Sequence, residues 1–231
     1  MAATPPRFTP ALFDFLRELR AHNDREWFQA NRSRYERDVR TPALLFIEAI
    51  APELKRITRH VVADPRPVGG SMFRINRDTR FSTDKSPYKT ALAMAFAYEG
   101  AARHSPLPGF YLQIEPGDSF AGGGVHMPDT ATLTRIRDAI VARSSTWKRI
   151  VEAPDLAPLF TDDGELLKRT PAGYPADHPF AEHLRRRSFT WHTRFSEAAV
   201  CAGDFMDRYL DACRTANPLM RFLAAALDLP W

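Results

Sequence analysis

Thr90-Ala91-Leu92-Ala93-Met94-Ala95-Phe96-Ala97-Tyr98 is the stretch on which the fold turns. Small and large side chains alternate along it, the period-two pattern of a strand with one packed face. Ala, Leu and Met also favour helix, so a helix is the competing reading. The surroundings read as β. Residues 71–76, 109–115 and 119–126 are short runs of strand-compatible residues. Turn signals separate them at Pro106-Leu107-Pro108-Gly109 and Pro116-Gly117-Asp118. The last of these joins two strands as a hairpin.

Helices flank this centre. Thr9-Pro10 supplies a cap and a first-turn proline, followed by Leu12, Phe15, Leu16 and Leu19 on one face. Asn23-Asp24-Arg25-Glu26 has the form of a capping box and opens a second helix carrying Trp27, Phe28, Tyr35 and Val39. Thr41-Pro42 starts a third, with Pro52 expected to kink it. After Pro128, Asp129 or Thr130 caps a helix through Leu133, Ile136, Ile140 and Val141. Residues 153–190 are irregular, with the acidic pair Asp162-Asp163 expected in a turn and a strand near 188–193. Residues 196–214 and 218–227 predict two closing helices. The expectation is one α+β domain over residues 8–228 behind a flexible terminus of residues 1–7. Its mainly antiparallel central sheet spans about residues 71–126 plus the 188–193 strand, between N-terminal and C-terminal helices.

At 231 residues, 44% hydrophobic and 26% charged, the chain has the composition of a soluble globular protein. No apolar run reaches the roughly 20 residues of a membrane helix, so no membrane association is expected. The N-terminus has no signal-peptide character, which together with the cysteines points to the cytoplasm. Cys201 and Cys213 are the two cysteines, both inside the helix expected over 196–214 and roughly 18 Å apart along it, hence unpaired. A net charge of +4 without a basic tail permits nucleic-acid binding but does not argue for it.

The chemistry concentrates in residues 73–90, where five basic and two acidic residues interleave. Arg74, Arg77, Arg80, Lys85 and Lys89 have the character of an anion-binding set, with Asp78 and Asp84 orienting the guanidiniums. Tyr88 offers a ring to stack on or a hydroxyl to bond. Phe73, Phe81 and Pro87 are expected to anchor the segment in the core. A strand edge laced with ordinary salt bridges is the plainer reading. Gly122, Gly123 and Gly124 precede His126. They either let backbone N–H groups approach an anion or mark close packing. His126, like Asp78, is a candidate proton carrier. Lys168 and Arg169 open a second basic loop that would close over a ligand or simply lie on the surface. Arg185-Arg186-Arg187 reads as a solvated run. No P-loop, dinucleotide fingerprint, nucleophile elbow or metal-ligand spacing is present, so no metal and no cofactor is expected.

The segment R-x-x-R-D-x-R-F-S-x-D-K-x-P-Y-K is filled here by Arg74, Arg77, Asp78, Arg80, Phe81, Ser82, Asp84, Lys85, Pro87, Tyr88 and Lys89. With Asn23, Trp27 and Phe28, the three glycines, and the loop from Lys168 to Tyr174, the chain resembles the bacterial and fungal DUF2461 family over roughly residues 8–225. Asn76 departs from that pattern, standing where an aromatic is commoner. The resemblance implies no activity, substrate or cofactor.

The residues themselves point to a pocket for a phosphate- or carboxylate-bearing small ligand, whether or not a reaction follows. The alternative is a nucleic-acid or protein-interaction module that uses the same cluster. A concave site walled by the glycines favours the first. A flat basic stripe with exposed aromatics favours single-stranded nucleic acid.

Overall fold

A computed structural model describes residues 7–101, 105–160 and 166–231. The Asp162-Asp163 pair and residues 1–6 of the terminus lie outside the described residues. Helix α1 (Pro10–Ala21) buries Leu12, Phe13, Phe15, Leu16 and Leu19. Asp24, not Asn23, caps α2 (Arg25–Ala30), its carboxylate accepting from the Trp27 N–H. A short α3 (Arg32–Arg34) runs through a π-helical stretch, Tyr35–Arg40, into α4 (Thr41–Ile57). Thr41 N–H bonds to Glu36 O, a five-residue step, immediately before Pro42, which has no N–H to place. Pro42 therefore sits in the first turn of α4, as expected, although the chain enters that helix from the π-helical stretch through a register change.

The central stretch is strand, not helix. Strands β1 (Val61–Val62), β2 (Leu92–Tyr98), β3 (Gly109–Ile114), β4 (Ser119–Val125) and β5 (Phe189–Phe195) form one antiparallel sheet in that order. This is the α+β architecture expected. Residues 71–76 differ from expectation: they make only isolated bridges, Met72 with Met94 and Asn76 with Tyr88. Phe73 N–H donates to Ala93 O at 2.9 Å, after which the chain leaves the edge of β2 to pair with its own continuation. Arg77 N–H to Pro87 O and Lys89 N–H to Ile75 O, both 2.8 Å, close that excursion as a hairpin.

The remaining helices are α5 (Thr130–Ala142), α6 (Ser144–Val151), α7 (Ala181–Leu184), α8 (Glu197–Cys201) and α9 (Phe205–Ala226). Asp129 caps α5. Pro218 does not divide α9. It sits on the exposed side, while Cys213, Ala216, Leu219 and Met220 continue one buried stripe across it. Packing of that stripe outweighs the hydrogen bond that Pro218 has no N–H to donate. The helix expected over 196–214 is instead broken at residues 202–204, so Cys201 and Cys213 belong to different helices, α8 and α9, and both are free thiols.

One hydrophobic cluster runs from Phe8 to Leu227. Met94, Phe96, Phe110, Leu112, Ala121, Val125, Phe189 and Trp191 form the sheet's core-facing side, and α9 packs against β4. Pleating turns the intervening residues to the other side. No helix among the described residues is long and apolar enough to cross a membrane.

Candidate functional site

Strand register puts small residues side by side on that other face. One row reads Ala95, Tyr111, Gly122, His192; the next reads Gly109, Gly124, Thr190. With side chains missing along the middle, the sheet is hollowed into an apolar cleft of about 680 Å³. That volume suits a small organic ligand. Ala95, Ala97, Gly109, Gly122 and Gly124 are its floor. One wall is a run of rings: Phe73 to Tyr111 at 6.3 Å, Tyr111 to Phe120 at 5.7 Å, Phe120 to His192 at 6.0 Å. Leu107, His126 and Met127 contribute to the lining elsewhere.

Two of the three glycines have packing reasons. A Cβ on Gly123 would lie 2.6 Å from Gly109 O and 2.9 Å from the Trp191 indole nitrogen. Gly124 has φ +122, and a Cβ there would sit 2.1 Å from Phe189 O. Close approach of strands explains them without an anion. Met127 is held at φ 44, a left-handed conformation that a non-glycine residue adopts at some cost. The Ser188 hydroxyl accepts from its N–H at 2.9 Å, and the side chain is left half-exposed at the cleft. Backbone strain of this kind concentrates at functional sites.

The basic hairpin joins this cleft at one wall. Lys89 Nζ lies 5.1 Å over the ring of Phe73, a cleft residue. Tyr88 faces the opposite way: it is 5% exposed, stacked on Phe28 at 4.1 Å, and clamped by Asn23, which bonds both its N–H and its C=O at 3.0 Å. Its ring thus anchors the hairpin base, a role the sequence reading gave to Phe73, Phe81 and Pro87. Phe81 is instead 96% exposed at the loop. Polar residues 78–86 fold onto one another and leave no apolar surface to receive it.

The hairpin's charges are engaged locally. Arg77 pairs with Asp84, and Arg80 grips Asp78 in a two-pronged contact at 2.9 and 2.7 Å. Lys85 Nζ donates to Thr79 O at 3.0 Å. Arg80 holds the Asp78 carboxyl down at about 2, and the Ser86 and Arg77 bonds hold Asp84 well below the usual carboxylate range. A carboxyl that acidic is ionised throughout the neutral range, which suits orienting a guanidinium better than moving a proton. Arg74 is exposed beside Phe73.

Lys168 and Arg169 are exposed in a loop pinned elsewhere: Leu167 N–H bonds to Arg185 O, and the Tyr174 hydroxyl bonds to Asp138 of α5 at 2.7 Å. Neither lines the cleft. Arg186 is not a solvated residue of its run. It is buried, with its guanidinium 4.3 Å over Phe160. Among the described residues no group of three His, Cys, Asp or Glu side chains is placed to hold a metal ion.

The structure therefore unites Gly122, Gly123, Gly124 and His126 with Phe73, which the sequence reading expected only as an anchor in the core, and with Tyr111, Phe120 and His192, which it did not single out. A signal exists for two of them. At two-residue spacing, Phe120, Gly122 and Gly124, and likewise Gly109 and Tyr111, place aromatic and bare positions on the face that the large aliphatic residues do not use, which marks Tyr111 and Phe120 but neither Phe73 nor His192.

A search of curated proteins and a search of solved structures each gave no match. A scan against protein families matches residues 11–222 to the family described as "Conserved hypothetical protein (DUF2461)". That match spans the helices, the cleft and the basic hairpin alike, and the chain belongs to the DUF2461 family.

Proposed function

We propose that this protein binds a small ligand with a flat apolar body and a phosphate or carboxylate group. The body would rest in the cleft on the Gly122 and Gly124 floor; the anion would lie beyond Phe73, towards Lys89 and Arg74. The observation that carries the reading is the junction itself, an apolar cleft whose Phe73 wall lies under Lys89 at 5.1 Å. If a reaction follows binding, His126 and His192 are the imidazoles in the cleft lining that would carry a proton. Two free thiols suit a cytosolic setting.

Phenyl phosphate is the test compound, with inorganic phosphate and phenol as its two halves. It should raise the melting temperature where neither half alone does so comparably. At a hundredfold over its dissociation constant the linkage is worth about 2.7 kcal/mol. Ala97→Leu, which fills the floor, and Lys89→Ala should each weaken that shift. Absence of any shift with phenyl phosphate or benzoate removes the reading.

One observation favours the second reading, a nucleic-acid interface: Phe81, 96% exposed, with the Arg80 guanidinium 5.8 Å from its ring. Tight, steeply salt-dependent binding of mixed-sequence single-stranded DNA, with no small-anion effect, would promote it.

A further inference from the structure

Tyr111 lines the cleft, and a chain of hydrogen bonds fixes which way its hydroxyl hydrogen points. The chain starts on α1. Arg20 Nη2 donates to Glu115 Oε1 at 2.6 Å, and the Thr90 hydroxyl donates to the same oxygen at 3.3 Å. A guanidinium has no acceptor, so Glu115 faces it as an accepting carboxylate. Its second oxygen takes Gln113 Nε2 at 2.9 Å. A carboxylate cannot donate, which forces the Gln113 amide to turn its NH₂ to Glu115 and its carbonyl to Tyr111. The Tyr111 hydroxyl lies 3.1 Å from that carbonyl oxygen and must be the donor. Residues 111 and 113 are two apart in β3, so pleating puts both on one face, and Glu115 follows directly after the strand. Burial, with Glu115 adding to it, raises the Tyr111 hydroxyl above its ordinary value, so the proton stays on.

We infer that Tyr111 is a specificity-determining residue that shows the cleft lone pairs only, so that the ligand is one carrying a hydrogen-bond donor (a hydroxyl, amine or amide N–H) on its apolar body. The hydroxyl hydrogen is committed to Gln113, and no other described group bonds to this oxygen. A ligand acceptor placed there meets lone pairs and is rejected; a donor completes the chain. The inference rests on the cleft being the ligand site, but not on the anion.

Two uncharged probes that differ only by an O-methyl group test it: p-cresol, which can donate, and 4-methylanisole, which can only accept. Binding is followed by backbone amide shifts of residues around the cleft in two-dimensional NMR. In the wild type p-cresol should bind about fivefold tighter, the size of one neutral hydrogen bond. Tyr111→Phe should abolish that preference by weakening p-cresol, while 4-methylanisole binds at least as tightly as before because the lone pairs that oppose it are gone. Gln113→Met frees the Tyr111 hydrogen and should shrink or reverse the preference, which a loss of folding in either variant would not do. Equal binding of the two probes overturns the inference, as does failure of both to occupy the cleft or a preference that survives Tyr111→Phe. Phenyl phosphate judges the anion reading separately, since neither probe carries charge.

Discussion

Acidification from pH 7.5 to pH 5.0 should cost this protein about 2 kcal/mol through His183 alone. Its ring lies parallel to Phe160 at 5.6 Å, with Trp147 edge-on at 5.5 Å and Phe180 at 5.7 Å. Nδ1 is buried and has no hydrogen-bond partner among the described residues. Burial, and then the nearby Arg186 charge, brings the imidazole down from 6.5 to about 4. A folded value below the unfolded one means that the unfolded chain takes up the proton first. The contribution is therefore complete above pH 6.5 and declines as pH falls towards 4. At pH 5 nearly all unfolded chains carry the proton and few folded ones do, which gives about 2 kcal/mol from the linkage relation. For a domain of this size that is a fall in Tm of about 4–8 °C. Urea denaturation at both pH values, on wild type and His183→Phe, isolates the effect, because the other histidines contribute equally to each protein. Equal losses on acidification in the two proteins would refute the reasoning, as would an NMR titration placing His183 near 6.5.

Gly124→Ala should destabilise by about 3 kcal/mol or more, since it combines a φ of +122 with a Cβ 2.1 Å from Phe189 O. Gly117→Ala, with φ +79 and nothing within 4 Å, should cost only about 1–2 kcal/mol. Chemical denaturation compares them, and equal costs would remove steric closeness as the reason for the glycine at 124. Phe81→Ser should leave stability within about 0.5 kcal/mol because the ring is 96% exposed. A larger loss by the same measurement would mean that Phe81 packs against something after all.

The sheet was legible because strand alternation and turn residues agreed with each other at residues 90–98, 109–115 and 119–126. Boundaries failed where tertiary packing overrode local preference. Pro218 should stop a helix, but the apolar stripe from Cys213 to Met220 is continuous across it. Val61 and Val62 make a strand too short to carry a pattern. The hairpin was misread at its anchor for a similar reason. Composition marks Phe81 and Tyr88 equally as aromatic residues among charges. Only the arrival of Phe28 from α2 and Asn23 from the turn before it, some sixty residues earlier, makes Tyr88 the buried one. The cleft was half legible. Gly122, Gly123, Gly124 and His126 stood out locally, whereas the Phe73, Tyr111, Phe120 and His192 wall exists only once four separate segments are set in register.

That register also bears on why so charged a segment is so self-contained. Exposed ion pairs such as Arg80 with Asp78 add little to stability, because water solvates either partner well when they part. What they do restrict is shape. Arg77 with Asp84, Arg80 with Asp78, and Lys85 on Thr79 O tie residues 77 to 86 together across the loop, while Tyr88 roots its base in the core. A loop held that way has less conformational freedom to lose when something binds beside it. The interleaving of acids with bases, which the sequence presents as an anion-binding set, thus has a structural effect that comes before any anion. Lys89 lies over Phe73 of the cleft wall, and Arg74, next to Phe73 in the chain, is exposed. An anion bound there would meet a pre-shaped edge, whereas disrupting Arg77 or Arg80 would act on that edge at a distance, through the loop.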